Sequence, residues 1–291
     1  MAAEVTGVLI RSVLAVILSS LIALRAVRRK SLDRSGAAAG FVVLAIHIAA
    51  GYRFGALILA FFFTSSQVTR LGTEVKRRLE DDFKEGGQRN WVQVLANSTI
   101  ATFLVLIVGT LTHWQACCLD ARESRTVTGL VGGIIGHYAC CNGDTWSSEL
   151  GILSNAQPRL ITTFKKVQRG TNGGVTLQGL FAAAVGGGII GLAYVVTGFL
   201  TARCSSEALL RQLLVIPVAT AAGLSGSVID SLLGATLQFS GFCSIRQKVV
   251  GRPGPSVKRI SGMSILDNDA VNFVSVLLTT FLTSVACLYV F

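Results

Sequence analysis

The chain has 291 residues, of which 51% are hydrophobic and only 14% are charged, and its mean hydropathy is +0.62. Soluble domains carry roughly 25% charged residues, so this composition excludes an ordinary water-soluble enzyme and favours a domain whose main solvent is lipid. The net charge of +11 does not indicate nucleic-acid binding, because no cluster interleaves basic and aromatic residues. The sequence therefore predicts one membrane domain over residues 1–291, in contact with the bilayer and without a nucleic-acid partner.

Apolar segments along the whole chain predict an all-α, polytopic bundle of about eight transmembrane helices. A helix needs about twenty apolar residues to cross a bilayer, and the candidate spans are residues 5–24, 36–51, 54–67, 92–112, 126–143, 174–200, 211–236 and 270–290. The second and third are short and are separated only by Tyr52 and Arg53, so seven or nine spans also fit the pattern. The first apolar run begins almost immediately and ends in three basic residues, which favours a retained span over a cleaved signal or a transit peptide.

Basic residues give an independent test of this topology. With eight spans and a non-cytosolic N-terminus, 20 of the 26 basic residues fall in four cytosolic segments, namely 25–34, 68–91, 144–173 and 237–269. Lysine and arginine resist translocation, so this asymmetry is the one that the positive-inside rule predicts. Within these segments, residues 68–83 are amphipathic and are expected either to extend the third span or to lie on the membrane surface.

The glycines, cysteines and histidines in and beside the spans have simple structural interpretations. Eight glycines cluster in the fifth and sixth spans, where they favour close helix packing, with room for a lipid chain as the alternative. Cys117, Cys118 and Cys204 fall in non-cytosolic loops, where one disulfide can form, and no cysteine spacing indicates zinc. His47 and His137 are expected to be neutral, hydrogen-bonded bundle residues.

Two glycine-bearing basic segments fall on the cytosolic face. The first is residues 84–90, KEGGQRN, and the second is a basic loop that runs from residue 159 into residues 170–176, GTNGGVT. Glycines permit tight turns whose amides can bind an anion, and the N-terminus of a following helix favours phosphate. A solvated turn is the alternative for the first segment, and the second is not a Walker A loop because GxxxxGK[ST] is absent.

Acidic residues at the same boundary complete a candidate phosphate site. Asp144 and Glu149 follow the fifth span, Asp230 lies about two turns inside the seventh, and residues 266–272, LDNDAVN, open the last. Carboxylates in such positions can hold Mg²⁺ together with water and substrate phosphates. The alternatives are that Asp144 caps a following helix and that Asp269 caps the last one. Carboxylates, cations and backbone donors are together the parts that phosphoryl transfer requires.

Six motifs resemble one membrane family: KEGGQRNWVQVLANS (84–98), CNGDTWSSELG (141–151), PRLITTF (158–164), GTNGGVT (170–176), GSVIDSLLGAT (226–236) and LDNDAVN (266–272). The chain is similar to the integral membrane family of plant phytyl-phosphate kinase and animal transmembrane protein 19, and most similar to its plant plasma-membrane, glucose-responsive members. The resemblance implies transfer of phosphate from a nucleoside triphosphate, ATP or CTP, to an isoprenyl monophosphate in the presence of Mg²⁺.

The resemblance also implies roles for individual residues. The catalytic residues would be Asp144, Glu149 and Asp230, and the metal ligands would be Asp144, Asp230, Asp267 and Asn268. The substrate phosphates would contact Lys84, Arg89, Asn90, Lys165, Thr171, Asn172, Gly173 and Gly174. Because no transit peptide is evident, the plasma membrane or the endoplasmic reticulum is favoured over the plastid.

Three functions follow from these observations. The leading hypothesis is a lipid-phosphate kinase in which the lipid enters between spans and the nucleotide binds at the cytosolic rim. The second is a transporter or sensor in glucose response, with intramembrane polar residues along a path. The third is a structural scaffold, for which replacing Asp144 or Asp230 would change only stability.

Overall fold

The computed structural model describes residues 2–79, 83–201, 204 and 206–291. The helices are α1 (Ala2–Arg28), α2 (Arg34–Ala50), α3 (Tyr52–Thr69), α4 (Thr73–Leu79), α5 (Trp91–Ala96), α6 (Thr99–Leu111), α7 (Arg125–Gly151), α8 (Leu177–Thr201), α9 (Ser206–Arg211), α10 (Val215–Leu237) and α11 (Asn268–Val290). Strands β1 (Arg159–Leu160) and β2 (Gly174–Val175) form an antiparallel pair. Strands β3 (Ser240–Cys243), β4 (Lys248–Val250) and β5 (Val257–Ser261) form a small antiparallel sheet in the order β4-β3-β5.

The helical bundle confirms the all-α membrane fold, but it does not confirm eight spans. Helices cover the eight predicted segments, with 92–112 divided between α5 and α6, yet among the described residues only Thr6–Arg28, Leu177–Thr201, Glu207–Leu237 and Asn268–Val290 are long and apolar enough to cross a bilayer. Helices α3 and α4, bent by 75°, can count together as a fifth. Helices α2 and α6 have 17 and 13 residues and are shorter than a full span.

Helix α7 is the centre of the bundle. It packs against α3, α6, α8, α10 and α11, and nearly all of its side chains from residue 128 to residue 143 are buried. The predicted span 126–143 ended eight residues too early, because α7 continues to Gly151. Asp144 is therefore inside a helix and does not cap a following one. His137 and Asn142 in α7 are buried against neighbouring helices, so polarity did not mark where the helix ends.

Glycines bring α7, α8 and α10 into backbone contact. A Cβ atom at Gly143 would lie 2.8 Å from the Cα of Gly223, and one at Gly187 would lie 2.3 Å from the carbonyl oxygen of Ala219. Such distances leave no space for a side chain, and none for a lipid chain, at these positions. The glycines therefore serve close packing, as the simpler interpretation predicted.

The link from α3 to α4 turns at Gly72. This residue has a φ of +64°, and a Cβ atom there would lie 2.3 Å from the Cδ2 of Leu153. Glycine tolerates both constraints. The amphipathic segment 68–83 is thus not one continuous helix, and its residues 80–82 lie outside the described residues.

The four basic segments lie together at one end of the bundle, which we call the basic face. Arg70 donates to the carbonyl oxygen of Arg29 at 2.8 Å, and the ammonium of Lys248 donates to that of Arg77 at 3.0 Å. The amide of Asn172 donates to the carbonyl oxygen of Phe239 at 3.1 Å. These contacts join segments 25–34, 68–91, 144–173 and 237–269.

The opposite face is closed by its own set of contacts. Cys118 and Cys204 form a disulfide, so the predicted bond joins these two of the three candidate cysteines. Beside it, the guanidinium of Arg53 is buried, donates to the carbonyl oxygen of Cys117 at 2.9 Å and lies 4.9 Å from the ring of Tyr194. Disulfides persist in oxidising compartments, so this face fits the non-cytosolic side of the membrane.

Candidate active site

Asp144 and Asp230 face each other near the basic face, and we call them the acid pair. The two carboxylates are within electrostatic range of each other. Each accepts a hydrogen bond from a serine: Ser227 donates to Asp144, and the hydroxyl of Ser275 donates to Asp230 at 3.0 Å. Both acids are half-buried. The structure thus brings together two acidic residues that are 86 positions apart in the sequence.

Close helix packing explains why the acid pair meets. A Cβ atom at Gly226 would lie 2.5 Å from the sulfur of Cys140, so α10 touches α7 at that level. Residues 144 and 230 come one helical turn later on each helix and therefore share the same side of the contact. Ser275 of α11 completes this arrangement from a third helix.

The oxygen atoms of the acid pair suit Mg²⁺. Two carboxylates and two hydroxyls are hard donors of the kind that Mg²⁺ takes, usually with water and substrate phosphate in the rest of its shell. Within the described ranges no group of three or more histidine, cysteine or acidic side chains is placed to hold a metal. Water and substrate phosphate would fill the positions around an ion that the two carboxylates and two hydroxyls leave open.

Asp267 and Asn268 do not reach the same position. Ser275, which contacts Asp230, is seven residues beyond Asn268, and seven residues of helix rise about 10 Å. One ion cannot bind at both levels, since Mg²⁺–oxygen distances are about 2 Å. Asp267 is the N-cap of α11 and accepts from the backbone N–H of Ala270 at 2.9 Å, so the expectation that Asp269 is the cap is wrong.

Glu149 points away from the acid pair. It comes five residues after Asp144, which on a helix corresponds to about 7.5 Å along the axis and a rotation of about 140°. Its carboxylate forms an ion pair of 2.6 Å with Lys76, whose side chain is only 1% exposed. The ammonium of Lys76 also donates to the carbonyl oxygens of Val68 and Thr69 at 3.3 and 3.0 Å. Lys76 therefore joins the end of α3, helix α4 and the end of α7.

Sequence reasoning missed Lys76. In the sequence it lies beside Arg77 and Arg78 in a charged stretch, and nothing in that stretch indicates which of the three basic side chains is buried. The break at Gly72 resets the helical phase, so that Lys76 faces inwards while the Arg77 side chain stays 54% exposed.

Of the two cations in the first glycine-bearing segment, Arg89 is the one that faces the interior of the bundle. Its guanidinium donates to the hydroxyl of Ser66 at 3.4 Å and is within electrostatic range of Glu149. Burial lowers the pKa of this guanidinium, and the charge of Glu149 opposes that effect. Its backbone is held by segment 25–34, because its N–H donates to the carbonyl oxygen of Ser31 at 3.1 Å.

The neighbours of Arg89 have structural partners. Asn90 caps α5 in a capping box with Gln93, so its side-chain oxygen is already bonded. The N–H of Gly87 donates to the carbonyl oxygen of Lys84 at 3.0 Å, within the turn itself. The side chain of Lys84 is exposed and lies within electrostatic range of Asp269. Within this segment the N–H groups of Gly87, Arg89 and Asn90 are bonded within the fold, and Lys84 and Arg89 supply its positive charge.

The second glycine-bearing turn packs on α10 beside the acid pair. Gly173 has a φ of +74°, and a Cβ atom there would lie 2.5 Å from the carbonyl oxygen of Ser231, the residue after Asp230. The N–H of Asn172 donates to the hydroxyl of Ser240 at 3.0 Å, and the N–H of Gly174 donates to the carbonyl oxygen of Thr171 at 2.9 Å. The turn therefore supports α10, and its polar groups are largely occupied by the fold.

The remaining polar residues singled out from the sequence lie elsewhere. Lys165 is exposed at the turn that follows β1, where its carbonyl oxygen accepts from the N–H of Leu160 at 2.9 Å. His47 bonds to the hydroxyl of Tyr138 at 2.7 Å, and His137 bonds to the carbonyl oxygen of Asn97 at 2.9 Å. Both histidines are buried and hydrogen-bonded in the bundle, as expected.

Comparison with known proteins places this bundle in a family. The family model described as "Integral membrane protein DUF92" matches residues 17–280, a range that contains all six motifs. The chain belongs to the DUF92 family. The match confirms the resemblance to an integral membrane family that the motifs indicated.

Proteins similar to this chain occur in Arabidopsis thaliana, Methanocaldococcus jannaschii and Synechocystis. The chain is 64% identical to Protein PGR of Arabidopsis thaliana over 281 residues, which cover 97% of this chain and 98% of that protein. It is 31% identical over 237 residues to an uncharacterized membrane protein of Methanocaldococcus jannaschii, covering 80% and 86% of the two chains. An uncharacterized membrane protein of Synechocystis is also 31% identical, over 228 residues, with 77% and 80% covered. No solved structure matches the chain.

Proposed function

We propose that the chain is a membrane-embedded kinase that transfers a phosphate from a nucleoside triphosphate to an isoprenyl monophosphate. The acid pair is the observation that carries this proposal. Charged side chains inside a membrane bundle are costly, and two carboxylates that face each other are especially so. Such an arrangement is expected where a cation and phosphate groups bind.

The depth of the acid pair suits a lipid phosphate. Asp144 and Asp230 each lie seven residues before the end of their helix at the basic face, which corresponds to about 10 Å. A phosphate held at this depth can remain attached to a chain that lies in the hydrocarbon layer. The isoprenyl tail would then enter between helices from the bilayer, and the nucleotide would approach from the aqueous side.

The chain's own residues have distinct roles in this proposal. The acid pair would hold Mg²⁺, which when bound offsets phosphate charge and orients the groups that react. Ser227 and Ser275 orient the two carboxylates through their hydroxyls. Arg89 and Lys84 supply positive charge on the basic face, and Lys76 fixes Glu149 so that it does not add a free negative charge there.

The orientation of the bundle supports access to cytosolic nucleotide. The basic face carries the four segments that the positive-inside rule assigns to the cytosol, and the disulfide closes the other face. We therefore propose that the acid pair opens to the cytosol, in the plasma membrane or the endoplasmic reticulum.

A transfer assay tests the proposal. Purified protein in lipid nanodiscs is incubated with Mg²⁺, radiolabelled ATP or CTP and a panel of isoprenyl monophosphates, and the diphosphate products are separated by chromatography. We expect label in the product with the unmodified protein and none with Asp144→Asn or Asp230→Asn. Folded protein that transfers no label to any lipid refutes the kinase. Nucleotide-independent solute uptake into liposomes that requires Asp230 would instead establish the transporter.

A further inference from the structure

A cavity of about 390 Å³ lies on the basic face, apart from the acid pair. Its walls come from the end of α4, the loop after α7, the β1–β2 hairpin and the sheet: Leu79, Asn155, Gln157, Val167, Gln168, Arg169, Phe242, Gln247, Lys248 and Val249. Small-molecule sites typically occupy about 300–1,000 Å³ and combine apolar walls with a few polar groups. This cavity has the size and the mixture of such a site.

The lining has a consistent chemical character. Four of its side chains are amides, four are apolar and two are cationic. Amides present both a donor and an acceptor, which is what the edge of a nucleobase requires. The ring of Phe242 offers a surface on which a base can stack, and Arg169 offers the fork of donors that binds phosphate.

Several of these groups have no partner within the fold. Among the described residues, the solvent-exposed side-chain amides of Asn155, Gln157 and Gln168 and the half-buried guanidinium of Arg169 make no hydrogen bond or ion pair within the fold. Lys248 differs, because its ammonium donates to the carbonyl oxygen of Arg77 and so fixes one wall against α4. The cavity therefore combines a fixed wall with unused donors and acceptors.

The cavity is connected to the acid pair by the second glycine-bearing turn. A Cβ atom at Gly170 would lie 3.8 Å from the Cβ of Val249, a wall residue, while Gly173 contacts α10 directly after Asp230. Gly170 and Gly173 are three residues apart and hence at most about 11 Å from each other, so the cavity wall and the part of α10 after Asp230 are neighbours on the basic face. We propose that this cavity binds the nucleoside triphosphate, with the base against Phe242 and the phosphates directed past Arg169 towards the acid pair.

This inference rests on the proposed kinase, and a binding experiment separates the two. Equilibrium dialysis measures ATP and CTP binding to the protein in nanodiscs, with EDTA present so that the acid pair cannot contribute through a metal ion. Arg169→Gln and Phe242→Leu remove the phosphate contact and the stacking surface. Lys166→Gln is the matched control, because it removes an exposed charge from the same loop at a residue outside the cavity wall. Thermal unfolding of each variant checks its fold.

We expect Arg169→Gln and Phe242→Leu each to weaken nucleotide binding about tenfold or more, as the loss of a charge-assisted bond or a stacking contact predicts. Lys166→Gln should bind as the unmodified protein does. If both cavity variants bind the nucleotide as the unmodified protein does and still phosphorylate the lipid, the nucleotide site in this cavity is refuted, whereas the kinase proposal is not. If nucleotide binding is weaker in both cavity variants but no phosphate is transferred to any lipid, the kinase proposal is refuted and the nucleotide site is supported. Equal competition by tripolyphosphate overturns the base contact with Phe242.

Discussion

The ion pair between Lys76 and Glu149 gives the sharpest test of how the basic face is held together. We consider Lys76→Met, which keeps the length of the side chain but removes its charge, and Glu149→Gln. The ammonium is 1% exposed and bonds to Glu149 as well as to two carbonyl oxygens of α3, whereas the Glu149 side chain is 19% exposed. Removing either charge leaves the other without its partner.

The expected magnitudes follow from these exposures. Breaking a fully buried ion pair costs about 3–5 kcal/mol, and the partial exposure of Glu149 reduces that cost. We expect the free energy of unfolding to fall by about 3 kcal/mol in Glu149→Gln, which leaves the buried ammonium of Lys76 unpaired, and by about 2 kcal/mol in Lys76→Met, which leaves the partly exposed carboxylate of Glu149 unpaired. The double variant has no unpaired charge, so its loss should also be about 3 kcal/mol, which gives a coupling energy of about 2 kcal/mol.

The assay is a double-mutant cycle measured by SDS-induced unfolding in mixed micelles. Glu74 and Arg77 supply a control cycle on the same helix, because their pair of 3.3 Å is exposed at both ends. Exposed pairs couple by roughly 0.5 kcal/mol or less. A Lys76–Glu149 coupling no larger than that of the control would refute a structural role. If the double variant also keeps phosphoryl transfer, Glu149 is excluded as a catalytic residue.

Three further predictions concern the acid pair, the glycine-bearing turn beside it and the N-cap of α2. Asp144→Asn and Asp230→Asn should each reduce lipid phosphorylation at least ~100-fold, because each removes a proposed metal ligand. Thermal unfolding should show that both variants keep their fold. Activity near that of the unmodified protein would contradict this prediction. Gly173→Ala should lower the free energy of unfolding by about 2–4 kcal/mol, because φ at this residue is +74° and the added Cβ atom would overlap α10. Gly251→Ala is the control. A Cβ atom there has no neighbour within 4 Å, so the same SDS titration should show no change. The backbone N–H of Gly36 lowers the pKa of the Asp33 carboxyl, so the stability that Asp33 contributes is present above its ordinary pKa of about 4 and is lost as the pH falls through the lowered value. Asp33→Asn keeps the cap without titrating, so unfolding measured between pH 5 and about 2 should depend less on pH; an unchanged slope would count against the cap.

The apolar segments predicted the helices well because a membrane leaves the backbone little choice. In lipid every N–H and C=O must be bonded internally, so a long apolar run becomes a helix. The same criterion failed in the second half of α7, where His137 and Asn142 are buried against other helices and Asp144 lies half-buried beside Asp230. Hydropathy does not separate a polar residue inside a bundle from one at the membrane surface, and the helix continued for two turns beyond the predicted end.

The candidate site was predictable in its location but not in its pairing. The positions of Asp144 and Asp230 near one boundary follow from counting along the spans. Their contact depends on how α7 and α10 rotate against each other, which the glycines at 143 and 223 determine in three dimensions. Glu149 could be separated from Asp144 only once α7 was known to continue, because only then does the helical rotation apply. Lys76 was hidden because the bend at Gly72 changes the face on which it lies.

The bond between Cys118 and Cys204 makes the chain a covalent ring across residues 118–204, with the exposed Lys165 and Lys166 inside it. A single tryptic cut at these lysines would therefore leave both fragments in one band on a non-reducing gel, and they would separate only after a thiol reagent is added. In sealed vesicles of known orientation, trypsin added outside would produce this change only where the basic face is turned outwards. The disulfide thus provides a built-in reporter of the sidedness of the protein.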